Sequence, residues 1–127
     1  MRCLIVDDEP LARARLSALL QETQRPVEIV GEFGSARDAL PAIHEQNPDV
    51  VFVDVQMPVL DGFDLVDLIV PPRPPIVFVT AYDEYAIKAF EVQAIDYLTK
   101  PVRLERLNRS LDRIHTGSHR ASDGSVL

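Results

Sequence analysis

The chain has 127 residues, a formal net charge of −7, 46% hydrophobic and 26% charged residues, and one cysteine. This length suits one domain with a core that needs no staples, and the single Cys3 excludes an internal disulfide and fits a reducing cytoplasm. The acidic balance excludes direct nucleic-acid binding through a basic surface, and no apolar run approaches the roughly 20 residues of a membrane helix.

The N-terminus enters a strand at once, Cys3-Leu4-Ile5-Val6, without the charged and then apolar pattern of a secretory leader. A cytoplasmic location is therefore expected. The strand ends in Asp7 and Asp8. A helix is predicted from about Pro10 to Gln24. Pro10 suits its first turn, where the missing N–H costs nothing, and Ala12, Leu16, Leu19 and Leu20 form its inward stripe. The next strand, Val27 to Phe33, alternates: Val27, Ile29 and Phe33 face one way and Glu28 and Glu32 the other, as at a sheet edge. Ser35 is the predicted N-cap of the second helix. Pro41 inside that helix predicts a kink or a shortened first turn.

Val50 to Val53 is a continuous apolar run closed by Asp54. The third helix is predicted from about Gly62 to Ile69, before the stiff, extended link Pro71-Pro72-Arg73-Pro74-Pro75. Ile76 to Val79 ends in Thr80. The fourth helix is predicted to start after Asp83 as N-cap and carries Ile87 and Phe90. The last strand, Ile95 to Leu98, is followed by Lys100-Pro101. Leu104, Leu107, Leu111 and Ile114 line one face of a fifth helix, and Arg103, Arg106, Arg109 and Arg113 give it a basic, solvated side. Residues 1–115 thus read as the domain. Residues 116–127 are polar and aperiodic, a flexible tail or the start of a linker to an absent output domain.

Strand and helix signals alternate five times. Continuous apolar strands are buried on both faces, and an alternating one lies at an edge. The predicted fold is α/β, a flavodoxin-like (βα)5 three-layer sandwich whose parallel five-stranded sheet has the order 2-1-3-4-5. Ligands bind such sheets at the C-terminal mouth of the strands. Here those ends carry Asp7, Asp8, Asp54, Thr80 and Lys100. Three acids, a hydroxyl and an amine are the equipment for holding a divalent metal and a phosphoryl group.

Asp7-Asp8, Asp54 with Met57-Pro58 and Asp61-Gly62, Thr80-Ala81 and Lys100-Pro101, in this order and at strand ends, resemble the receiver domains of two-component response regulators. The likeness runs from about Arg2 to Ile114. Val6 to Arg13 and Thr80 to Phe90 resemble more specifically the receivers attached to LytTR-type DNA-binding domains. The resemblance implies that Asp54 is a phosphoacceptor loaded by a sensor histidine kinase. It implies Mg2+ held by Asp8 and Asp54, with Asp7 acting through water or orienting the others, and the backbone carbonyl of Gln56 as a further ligand. Lys100 and the Thr80 hydroxyl would contact phosphoryl oxygens. Tyr97 would move with Thr80 as the switch, altering the surface of the fourth helix, fifth strand and fifth helix. Homodimers are expected on phosphorylation. Output is expected through a DNA-binding domain absent from this chain, with no enzyme activity beyond phosphotransfer and self-dephosphorylation. The Lys100–Pro101 peptide is expected to be cis, an isomer that costs only about 0.5–1 kcal/mol before proline.

Other readings compete. A stand-alone receiver would act by protein contact alone. A small aspartyl-phosphate phosphatase wants a second aspartate two residues after its nucleophile, where this chain has Gln56. A flavodoxin-like cofactor binder wants a Ser/Thr/Gly-rich loop after the first strand, where this chain has Asp7-Asp8-Glu9. Cys3 reads as core. His44, His115 and His119 present no convincing ligand set.

Overall fold

The computed structural model describes residues 1–114. The tail predicted at residues 116–127, and His115 and His119, lie outside the described residues. In chain order the elements are β1 (Arg2–Val6), α1 (Pro10–Glu22), β2 (Glu28–Phe33), α2 (Ala36–Gln46), β3 (Val50–Val53), α3 (Gly62–Leu68), β4 (Ile76–Thr80), α4 (Ala86–Glu91) and β5 (Asp96–Thr99). A last helix, α5, covers residues 104–114. The five strands form one parallel sheet in the order β2-β1-β3-β4-β5, the flavodoxin-like arrangement expected.

The continuous apolar strands feed two cores, one on each face of the sheet. Leu4, Val6, Val51, Val53 and Phe78 pack with Ile43 of α2, Phe63 and Val66 of α3, and Ala89 of α4. Cys3, Ile5, Val50, Phe52 and Val77 pack with Leu16 and Leu20 of α1 and Leu107, Leu111 and Ile114 of α5. Alternate side chains along one strand therefore serve opposite layers. Burial of Cys3 pushes its thiol up to about 12, so this sulfur is packing rather than chemistry.

β2 departs from the predicted alternation. Val27 and Ile29 pack on the α1/α5 side, but Val30 and Phe33 pack on the α2–α4 side. The cause is a register shift: Cys3 pairs with Ile29, whereas Leu4 pairs with Gly31. One extra residue in β2 flips every later side chain to the other face.

The helix ends follow local rules, with two corrections. Ser35 caps α2, accepting from the Asp38 N–H at 3.2 Å. That helix keeps its full first turn and runs unbroken through Pro41. Pro41 is exposed, and so is Arg37, whose carbonyl loses its helical partner where water can replace it. Asp83 does not cap α4. The helix starts later, with Tyr85 at the cap position and no side-chain cap, and the Asp83 carbonyl accepts from Ala86 N–H at 3.4 Å in a preceding turn. Asp61 and Asp64 form a capping box on α3, with bonds of 2.8 and 2.9 Å.

The basic side of α5 is only partly a solvated face. Arg106 grips buried Asp96 at the start of β5 with two hydrogen bonds of 2.7 Å, and Arg113 lies 3.2 Å from the same carboxylate. Burial is the largest single influence and would raise the Asp96 carboxyl, but the Arg106 fork, the Tyr97 N–H and Arg113 together outweigh it and hold it below its ordinary value. His44 also has a structural partner, its Nε2 accepting from the Val70 N–H at 3.0 Å. Among the described residues no helix is long and apolar enough to cross a membrane.

Candidate functional site

The sheet ladder itself delivers the site. One backbone bond past each strand end, Asp7 N–H donates to Phe33 O, Asp54 N–H to Val6 O, and Lys100 N–H to Thr80 O, at 3.0, 3.0 and 2.8 Å. These bonds fix three side-chain origins along one edge. There the Lys100 ammonium bridges two carboxylates, 2.8 Å from Asp7 Oδ2 and 3.0 Å from Asp54 Oδ2. Both acids are buried. Their second oxygens accept local backbone bonds, Asp7 from Glu9 N–H at 2.9 Å and Asp54 from Gln56 N–H at 3.2 Å. Arg13 adds a hydrogen bond to the Asp7 carbonyl.

The electrostatics follow from this geometry. Burial raises the Asp7 carboxyl against the opposing pull of Lys100, with the neighbouring Asp54 charge adding to the rise. Burial works to lower Lys100, but its bonds to Asp7 and Asp54 outweigh that and hold it above its ordinary value. Lys100 is therefore a fixed cation at neutral pH.

A cleft of about 620 Å³ opens over this cluster, with Asp8, Asp54, Gln56, Tyr82, Tyr85 and Lys100 in its lining. Asp7, Asp8 and Glu9 offer carboxylate oxygens within 4.8 Å of one another. An all-oxygen, negatively charged donor set fits Mg2+, which prefers carboxylates and keeps several waters. Glu9 belongs to this group and was not among the residues singled out from the sequence, although its place directly after the acid pair was a usable signal. The Gln56–Tyr85 contact, 2.7 Å from amide to hydroxyl, had no such signal. The partners are 29 positions apart and meet only through the fold.

Thr80 closes β4, fully buried, and its hydroxyl has no hydrogen-bond partner among the described residues. It is not in the cleft lining in this conformation. Tyr97 pairs with Phe78 in the β4–β5 ladder, and Thr80 pairs with Thr99. Thr80 and Tyr97 therefore lie on the same face of the sheet, offset by one residue pair on that face. The Tyr97 hydroxyl donates to the Tyr82 carbonyl. The Lys100–Pro101 peptide is cis.

Residues 3–112 match the family described as response regulator receiver domain. Transcriptional regulatory protein BtsR of Salmonella typhi is 53% identical over 115 residues, covering 90% of this chain and 48% of that protein. An uncharacterized response regulatory protein of Vibrio cholerae is 44% identical over 128 residues, covering 100% of this chain and 53% of that protein. The chain spans about half the length of the curated relatives it matches. Among solved structures, the response regulatory domain of protein mrkE from Klebsiella pneumoniae aligns with a TM-score of 0.82 and 37% identity, over 94% of this chain and 99% of that one. The signal receiver domain of a modulated diguanylate cyclase from Desulfovibrio desulfuricans aligns with a TM-score of 0.80 and 30% identity, over 94% and 97% of the two chains.

Proposed function

Because this chain belongs to the response regulator receiver domain family, we propose that it is a phosphoacceptor switch of a two-component system, loaded on Asp54 by a sensor histidine kinase. The observation that carries this reading is the Lys100 ammonium seated between Asp7 and Asp54 beneath an open cleft. An Asp54 oxygen attacks the phosphorus of a phosphohistidine as the P–N bond breaks and its electron pair returns to the imidazole. The product is an acyl phosphate on Asp54. Phosphoryl transfer asks the protein mainly for positioning and charge. Lys100 gives its charge to one phosphoryl oxygen, and the unpartnered Thr80 hydroxyl can donate to another.

Asp7, Asp8 and Glu9, with Asp54 and the Gln56 carbonyl, would hold Mg2+. When bound, that ion neutralises charge on the phosphoryl oxygens. These four carboxylates would carry its affinity, and their mutual repulsion would be relieved on binding.

The readout starts at Thr80. A phosphoryl group adds charge and acceptor oxygens, and a buried hydroxyl without a partner gains a bond by moving toward them. Tyr97 on the same face follows into the space vacated, and α4 and β5 shift together. α4 is cheap to move. Ala89 is its one buried residue, while Ile87 and Phe90 are 76% and 83% exposed. That apolar surface, with α5, is the contact for a second phosphorylated copy or another partner. BtsR is a transcriptional regulatory protein about twice this length, which supports output through a LytTR-type DNA-binding domain outside these 127 residues; the acidic balance of the receiver, a net charge of −7, speaks against DNA contact by the receiver itself.

Incubation with a small acyl phosphate and Mg2+ tests the assignment by intact mass. One phosphoryl group is expected on the wild type, none after chelation of Mg2+, and none on Asp54→Asn. Undiminished labelling of Asp54→Asn contradicts the assignment.

A further inference from the structure

Gln56 stands two residues after the phosphoacceptor, and its two ends do different things. Its backbone N–H is bonded to Asp54 Oδ1 at 3.2 Å, so the residue is tied to the acid. Its side chain is exposed, and among the described residues the hydrogen bond that restrains it is Nε2 to the Tyr85 hydroxyl at 2.7 Å. Both residues line the cleft that holds Asp8, Asp54 and Lys100. A free glutamine on a cleft rim would sample many rotamers and lose that side-chain entropy on fixing.

Tyr85 is a firm anchor for it. Its ring sits edge-on to Phe63, with centroids 6.2 Å apart, and to Tyr82 at 6.3 Å. Phe63 is itself packed on Phe78 of β4 at 4.7 Å and carries the Lys88 ammonium 4.6 Å from its ring centre. The Tyr85 oxygen is therefore held by aromatic packing that reaches into the sheet.

We propose that Tyr85 is a positioning residue that prolongs the phosphorylated state by parking the Gln56 carboxamide against the cleft wall. The proposal rests on the reading of Asp54 as phosphoacceptor. Loss of the phosphoryl group is hydrolysis. A water oxygen bonds to phosphorus as the bond from phosphorus to the Asp54 carboxylate oxygen breaks. The electron pair returns to Asp54, and the proton of the water leaves with phosphate or to solvent. Attack must come in line with the breaking bond, from the open side of the cleft. A carboxamide has an acceptor oxygen as well as two donors, and a mobile glutamine beside a phosphoryl group can orient the attacking water. With Nε2 committed to Tyr85, the Gln56 oxygen is kept from that task.

Tyr85→Phe keeps the ring and its packing and deletes the acceptor. The whole chain, wild type and variant, is phosphorylated with a small acyl phosphate, the donor is removed, and loss of the phosphoryl mass is followed. Tyr85→Phe is expected to lose it about two- to tenfold faster, the effect of one hydrogen bond. In a Gln56→Ala background the same substitution is expected to change nothing, which loosened packing would not reproduce. Equal or slower decay in Tyr85→Phe, or undiminished acceleration in the Gln56→Ala background, overturns the positioning role alone. A wild type that takes no phosphoryl group overturns the phosphoacceptor reading and this inference with it.

Discussion

Lys100→Met is expected to lower folding stability by about 2–3 kcal/mol and to slow phosphoryl uptake about 100-fold. Lys100 is the cation that faces both Asp7 and Asp54, at 2.8 and 3.0 Å, and both carboxylates are buried. Methionine keeps the stem and removes the charge, leaving two desolvated anions facing each other. The penalty falls short of the ~3–5 kcal/mol of a sealed ion pair because the cleft admits water. Mg2+ neutralises the same acids, so it is expected to raise the stability of the variant more than that of the wild type. Denaturant midpoints with and without Mg2+ read the first effect, and the rate of labelling by an acyl phosphate reads the second. A variant as stable as the wild type in the absence of metal contradicts the role given to Lys100 in the fold.

Gly62→Ala is expected to cost about 2–4 kcal/mol, beyond the usual range of an exposed Gly-to-Ala change. A β-carbon on Gly62 would lie 2.4 Å from the Asp54 carbonyl oxygen, 3.1 Å from its carbonyl carbon and 3.2 Å from Val55 Cα. All three are backbone atoms, so no rotamer can relieve the overlap. The Gly62 N–H also donates to the Val55 carbonyl at 2.8 Å, closing the loop that follows Asp54. The added methyl group must therefore push the start of α3 away or move Asp54 itself. A lower denaturation midpoint and slower labelling are expected together. A midpoint unchanged within ~0.5 kcal/mol contradicts the close approach.

Much of the site can be read from the chain because its chemistry sits where polarity changes. Asp7, Asp54, Thr80 and Lys100 each end or follow an apolar run, and a parallel sheet brings such ends to one edge. The sheet order was legible for the same reason, through the one alternating strand. What stayed hidden depends on atoms far apart in sequence or on single-residue irregularities. The extra residue in β2 leaves no mark on composition, so simple alternation puts Phe33 on the opposite face from the one it occupies. The start of α4 is not legible because Asp83 is a good cap by type, while the backbone there makes a turn first. Arg106 and Arg113 carry no sequence sign of a partner, because only the fold brings Asp96 beside them. The Gln56–Tyr85 bond belongs to the same class.

The most direct measurement of the switch is amide exchange with Mg2+ and a beryllofluoride phosphoryl mimic, in the wild type and in Asp54→Asn. Changed protection is expected across residues 85–98, covering α4 and β5, in the wild type and not in the variant. Changes confined to α1 and α2 with residues 85–98 unaltered, or an equal response in Asp54→Asn, would contradict a phosphoryl group on Asp54 that is read out through Thr80 and Tyr97.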